Sequence, residues 1–139
     1  MDQESLSKML EKCLSELHKA YEGDCDAERA ERNAALFLEM QIKLAEVISQ
    51  AELRAKSAKN EIDRLSAEKY FEFKSAGGEG KKMTEVALEQ SINKDVDVNK
   101  VKAENIKFEA EYKKWNFIMQ TLSNGHIYFR NVSKRDGMI

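Results

Sequence analysis

From Asp24 to Lys74 the chain contains neither glycine nor proline, and no other feature limits its folding so strongly. Within this stretch Ala30, Ala34, Phe37, Gln41, Leu44, Ile48, Ala51, Ala55, Ala58, Ile62 and Leu65 recur at alternating spacings of three and four. That is the heptad seam by which one helix lies along another. Asp24 or Asp26 can cap its first turn, because a carboxylate accepts the unpaired N–H groups there. A helix of about 48 residues spans roughly 70 Å. One small domain does not cover such a length, so the seam calls for partner helices. Ala51, Ala55 and Ala58 admit a close neighbour.

The rest of the chain reads in the same way. Leu6, Met9, Leu10, Cys13, Leu14, Leu17, Ala20 and Tyr21 form one apolar stripe, predicting a first helix from about Ser5 to Glu22. Gly23 suits the left-handed residue that closes such a helix. Ser75-Ala76-Gly77-Gly78-Glu79-Gly80 has three glycines in four positions and reads as a loop. Thr84 starts a short helix to about Asn93, anchored by Val86, Leu88 and Ile92. Asp95 caps a last helix from Val96 to about Phe129. Its seam, beginning at Val98, runs through Val101, Asn105, Phe108, Tyr112, Trp115, Met119 and Leu122, with Ile106, Phe117 and Ile118 widening the stripe. Asn105 on that seam either sets register, as a buried polar residue does in a coiled coil, or occupies a partly wet position. Gly125 suggests a kink or an end, and Arg130 onward a frayed basic tail.

The expectation is therefore an all-α chain of long amphipathic, coiled-coil-like helices assembling as a homo-oligomer. It divides into an N-terminal long-helix region (1–74), a glycine-rich loop (75–83) and a C-terminal helical oligomerisation region (84–139). Val101, Phe108, Tyr112, Trp115, Met119 and Leu122 are the expected contacts between copies. Composition agrees: 35% of residues are charged, 8% aromatic, none is proline, and no alternating strand pattern occurs.

Catalytic and metal chemistry find no support. His18 and His126 stand in no ligand spacing, Cys13 and Cys25 form no CxxC pair, and no ExxH motif accompanies Glu39 and Glu46, seven apart on one helix. The glycine loop has Lys82 where a phosphate-cradling loop needs Ser or Thr, and helix where it needs a strand. The chain is read as non-enzymatic, without cofactor or metal. No apolar run nears the roughly 20 residues that span a bilayer and no signal pattern opens the chain, so a cytoplasmic protein with free thiols and no membrane partner is expected. Cys13, on an apolar stripe, reads as core.

The net charge is −2, unevenly divided, with 12 Lys/Arg against 16 Asp/Glu before Ser75 and 11 against 9 after it. Non-specific binding of single strands needs cations on a phosphate track beside aromatic faces. Arg54, Lys56, Lys59, Arg64, Lys69 and Lys74 lie near Tyr70, Phe71 and Phe73, and Lys81 and Lys82 follow in the loop. A second group joins Lys81 and Lys82 to Arg130, Lys134 and Arg135, with Tyr128 and Phe129. Glu52, Glu61, Asp63, Glu68 and Glu72 interleave with the first group, and the competing reading is surface ion pairs at i,i+4 spacing.

From about Ala67 to Lys134 the chain resembles the UvsY family of T-even-type phage recombination mediators. The resemblance rests on the aromatic helix end (Tyr70, Phe71, Phe73), the small-residue loop, the short amphipathic helix and the turn Asn93-Lys94-Asp95-Val96-Asp97-Val98 before an aromatic-bearing last helix. It implies single-stranded DNA binding, a ring-like homo-oligomer, and help to a RecA-like recombinase in displacing single-strand-binding protein, within the host cell cytoplasm. It also implies a DNA-contacting basic pair on the helix before the loop, where Lys56, Lys59 and Arg64 are nearest. The first helix has no counterpart in it. The alternatives are a structural coiled-coil or adaptor protein without affinity for nucleic acid, and a helical subunit of a phage particle.

Overall fold

Each expected cap marks a helix boundary in the computed structural model, which describes residues 3–76 and 84–137. Helix α1 spans Gln3–Tyr21. Gly23, at φ 84°, ends it: its N–H donates to the Ala20 carbonyl (3.0 Å) and the Asp24 N–H to the Lys19 carbonyl (3.0 Å), the paired closure that a left-handed glycine permits. Helix α2 spans Ala27–Ala76, and Asp26 Oδ1 accepts the Arg29 N–H at 2.8 Å. Helix α3 spans Glu85–Lys94, capped by Thr84. Asp95 then serves twice: its N–H donates to the Ile92 carbonyl, and its Oδ1 accepts from Asp97 and Val98 at the start of α4, Val96–Gly137. No strand occurs among the described residues, and no helix there is long and apolar enough to cross a membrane. The glycine loop lies outside the described residues, except that Ser75 and Ala76 complete α2.

The chain forms two compact units. One takes the chain up to Ser49 and from Lys114 onward, and the other is Gln50–Lys113. Both α2 and α4 contribute to each, so the units do not follow the linear division at 75–83.

In the first unit α1, the start of α2 and the end of α4 enclose Leu6, Cys13, Ala30, Phe37, Met40, Leu44, Leu122 and Phe129. Phe37 and Phe129 meet edge to face at 5.1 Å, and His126 Nδ1 lies 2.8 Å from the Ala34 carbonyl. Gly125 does not end α4. It is the slot into which the Phe37 ring packs. The frayed tail is likewise corrected: Leu122, Gly125, Phe129 and Val132 keep the three–four spacing and are all buried, so the stripe and the helix continue. On α1, Leu14 and Tyr21 stay exposed.

In the second unit Ala51, Ala55 and Ala58 of α2, Leu88 of α3 and Val98 of α4 are buried. The α2 and α4 segments run antiparallel, with Arg54 opposite Glu111 and Lys69 opposite Asp95 and Asp97. Ala55 and Tyr112 face one groove, and Ala58, Val101 and Phe108 another. Val86 is an exposed residue rather than an anchor, and Ile106 is exposed rather than part of the stripe. Asn105 Oδ1 is buried and has no hydrogen-bond partner among the described residues, an arrangement that costs about 1–3 kcal/mol.

Much of the α2 seam is buried within this chain: Ala30, Ala34, Phe37 and Leu44 in the first unit, and Ala51, Ala55 and Ala58 in the second. Trp115, Ile118 and Met119 pack on the first unit's core and Leu122 lies within it, whereas Phe117 is exposed.

Candidate nucleic-acid interface

The six expected cations of α2 divide sharply by partner. Arg54 Nη2 lies 3.5 Å from Glu111 and Lys56 Nζ 2.8 Å from Glu52. Arg64 bridges Glu61 and Glu68 at 2.5 and 2.8 Å, and Lys69 faces Glu72, Asp95 and Asp97 at 3.5–3.6 Å. Lys74 lies 5.6 Å from the Tyr70 ring centroid. Lys59 alone makes neither an ion pair nor a ring contact among the described residues. Lys81 and Lys82 lie outside the described residues.

These pairs set the protonation chemistry. The Glu61 hydrogen bond, with Glu68 behind it, raises the Arg64 pKa. The Glu52 hydrogen bond raises that of Lys56. At Lys69 burial works against the charge, but Asp95, Glu72 and Asp97 outweigh it and the pKa is raised. The interleaved acids thus claim Lys56, Arg64 and Lys69, as i,i+3 and i,i+4 spacing allows, while Asp95 and Asp97 at the start of α4 share Lys69 and Glu111 of α4 takes Arg54. A continuous basic track along α2 is not what these residues form. Of the second basic group, Arg130, Lys134 and Arg135 are exposed on the last turns of α4, but Phe129 is core.

One place brings cations and an aromatic ring together. In the second unit a groove of about 320 Å³ is lined by Lys56 and Lys59 of α2 and by Tyr112 and Lys113 of α4, with Glu52, Ala55 and Glu109. Tyr112 is half-buried and Lys59 and Lys113 are exposed. Three ammonium groups therefore face two carboxylates, one already engaged by Lys56. The excess is local, because the Gln50–Lys113 segment carries thirteen cations and thirteen carboxylates. Sequence reasoning found Lys56 and Lys59 and missed Lys113. Its signal was the register that sets Tyr112 beside Ala55.

A second polar cluster was not legible. A cleft of about 480 Å³ between α1 and α2 of the first unit is lined by Lys12, Glu16, Arg29, Arg32, Asn33 and Glu39, among others. Glu16 accepts from Arg29 Nε at 3.0 Å, Arg29 Nη2 at 3.2 Å and Asn33 Nδ2 at 3.2 Å. Glu16, Arg29 and Asn33 satisfy one another and so clamp the two helices. Cys13 is buried, and burial pushes its thiol pKa up to about 11, which keeps it protonated and unreactive. Among the described residues no three His, Cys, Asp or Glu side chains converge as a metal site.

The sequence matches no protein-family model and no curated protein, and the fold matches no solved structure.

Proposed function

We propose that this chain is a non-enzymatic, single-stranded DNA-binding protein of the recombination-mediator type, acting in the host cytoplasm to help a RecA-like recombinase displace single-strand-binding protein. The observation that carries the reading is the convergence of Lys56, Lys59 and Lys113 on Tyr112. Cations flanking a partly open aromatic ring are what a flexible polyanion with stacking bases requires. Lys56 must exchange Glu52 for a phosphate. That is inexpensive, since an exposed pair is worth only about 0–1 kcal/mol. The binding free energy comes from counterion release and stacking, with no covalent step. The resemblance to the UvsY family supports the recombinase and the homo-oligomeric ring in this reading.

The test is a titration of labelled single- and double-stranded oligonucleotides across salt. Single strands should bind more tightly. Changing Lys56, Lys59 and Lys113 to alanine together should flatten log K against log salt by about 2, at roughly 0.7 per lost phosphate contact. Arg64→Ala, which removes a cation held by Glu61 and Glu68, should leave the slope unchanged. Equal binding by the triple variant and the wild type would defeat the assignment. The second reading, a helical adaptor without nucleic-acid affinity, is favoured by the pairing of Arg54, Lys56, Arg64 and Lys69. It predicts no binding even at low salt.

A further inference from the structure

Helix α2 in the first unit buries Ala30, Ala34, Phe37 and Leu44, so its opposite side faces outward. That side carries Glu31, Leu38, Ile42, Ala45 and Glu46, all exposed, with Leu38 at 46% and Ile42 at 68% exposure. No Lys or Arg lies on this row. The nearest, Arg32 and Lys43, stand on its flank, and Lys43 is held by Glu39 at 2.9 Å. Glu31 and Glu46 have no ion-pair partner among the described residues.

Helix α4 in the second unit shows the opposite pattern. Val98, Val101, Asn105 and Phe108 turn inward, leaving Lys100, Ala103, Ile106, Lys107 and Ala110 exposed, Ile106 at 68%. No Asp or Glu lies on this row. Its flank carries Glu111, engaged by Arg54, and the exposed Glu104, one turn from Lys100; Lys100 and Lys107 have no ion-pair partner among the described residues. Lys100 and Lys107 are one heptad apart, about 10.5 Å along the axis.

The two faces therefore complement each other in three respects. One is acidic and the other basic, both carry exposed branched aliphatic side chains between the charges, and both place alanine where a partner helix must approach. A nucleic acid satisfies only the lysines, would leave Ile106 against phosphate, and is repelled by the α2 face. We propose that these faces bind each other between copies of this chain: the Leu38–Ile42 face of one copy docks on the Ile106 face of the next. The aliphatic side chains supply the contact, and the charges fix direction and exclude the like-charged pairing. Because the surfaces differ, the contact is heterologous. Each added copy presents a fresh face, and the assembly continues until it closes as a ring or extends as a filament.

The test uses the full chain and two charge reversals, Glu31→Lys with Glu46→Lys, and Lys100→Glu with Lys107→Glu. Helicity and melting of each are checked first. At micromolar concentration and low salt, the wild type should sediment above the monomer mass of 16.0 kDa. Each reversed variant alone should associate at least about tenfold more weakly, since both of its faces then carry one sign. An equimolar mixture of the two should reassemble, because each variant's α2 face suits the other's α4 face. Should a reversal unfold the chain, Ile42→Ser and Ile106→Ser give the same reading, each weakening association while helicity stays. A wild type that remains at 16.0 kDa, variants that assemble like it, or a mixture that stays dissociated overturns the proposal. So does protection of Lys100 and Lys107 by single-stranded DNA on a monomeric wild type, which assigns the α4 face to nucleic acid.

Discussion

At Gly125 two residue-scale effects compete with known magnitudes. Alanine is favoured over glycine inside a helix by about 1 kcal/mol. A Cβ at this position, however, would lie 2.6 Å from Phe37 Cδ2, and over-packing of a filled core costs about 1–3 kcal/mol. Packing wins, so Gly125→Ala should destabilise by up to about 2 kcal/mol, measured by denaturant unfolding. Combining it with Phe37→Leu should cost less than the sum of the two, as contacting sites do. A raised midpoint for Gly125→Ala would mean that the ring moves aside freely. The sequence presents this glycine as a break, because nothing local states that a ring from α2 fills the space. Gly23, Asp26, Thr84 and Asp95 were legible for the converse reason. Their partners lie within five residues, and capping is local chemistry. The candidate groove divides the same way: Lys56 and Lys59 could be named from α2 alone, while Lys113 required its register against α4.

Among the elements, α1 and α2 of the first unit are joined by one charged clamp. The hydrogen bonds from Arg29, which outweigh the opposing effect of burial, together with that from Asn33 hold the Glu16 carboxyl below the usual carboxylate range. A group whose folded pKa is depressed contributes stability above its unfolded value, about 4.3 for Glu. That contribution is lost as pH falls through the lower folded value. Thermal unfolding followed by circular dichroism should therefore show a midpoint that declines in acid. Glu16→Gln should lower the midpoint at neutral pH and flatten the acid decline. An unchanged profile in the variant would assign the acid sensitivity to other carboxylates. Element identity was the most legible level. The seams of α2 and α4 follow heptads, and all-α content required only the absence of competing signals. Which edge of a wide stripe turns inward was not legible, because Ile118 packs while Ile106 and Phe117 do not. That choice is made by the neighbouring helix.

For the whole molecule, Trp115 decides between two accounts of the same residue. The sequence suggests a contact between copies, whereas here the ring packs on the first unit's core with the Lys114 ammonium 5.4 Å from its centroid. Trp115→Ala should lower the melting temperature, at less than the about 3–5 kcal/mol of a fully enclosed tryptophan, without changing the sedimenting mass at fixed concentration. A fall in mass with unchanged melting would return Trp115 to an interface. The two units also have an order in time. The chain leaves the first unit after Ser49 and re-enters it at Lys114. At about 5–20 residues per second, making residues 50–113 takes roughly 3–13 s. Throughout that interval the growing chain already contains Phe37, Met40 and Leu44, but not yet Leu122, Phe129 or Val132 that will share their core. The ribosome thus delivers an apolar helix face well before its cover, and the first part of this protein to be synthesised is among the last to be finished.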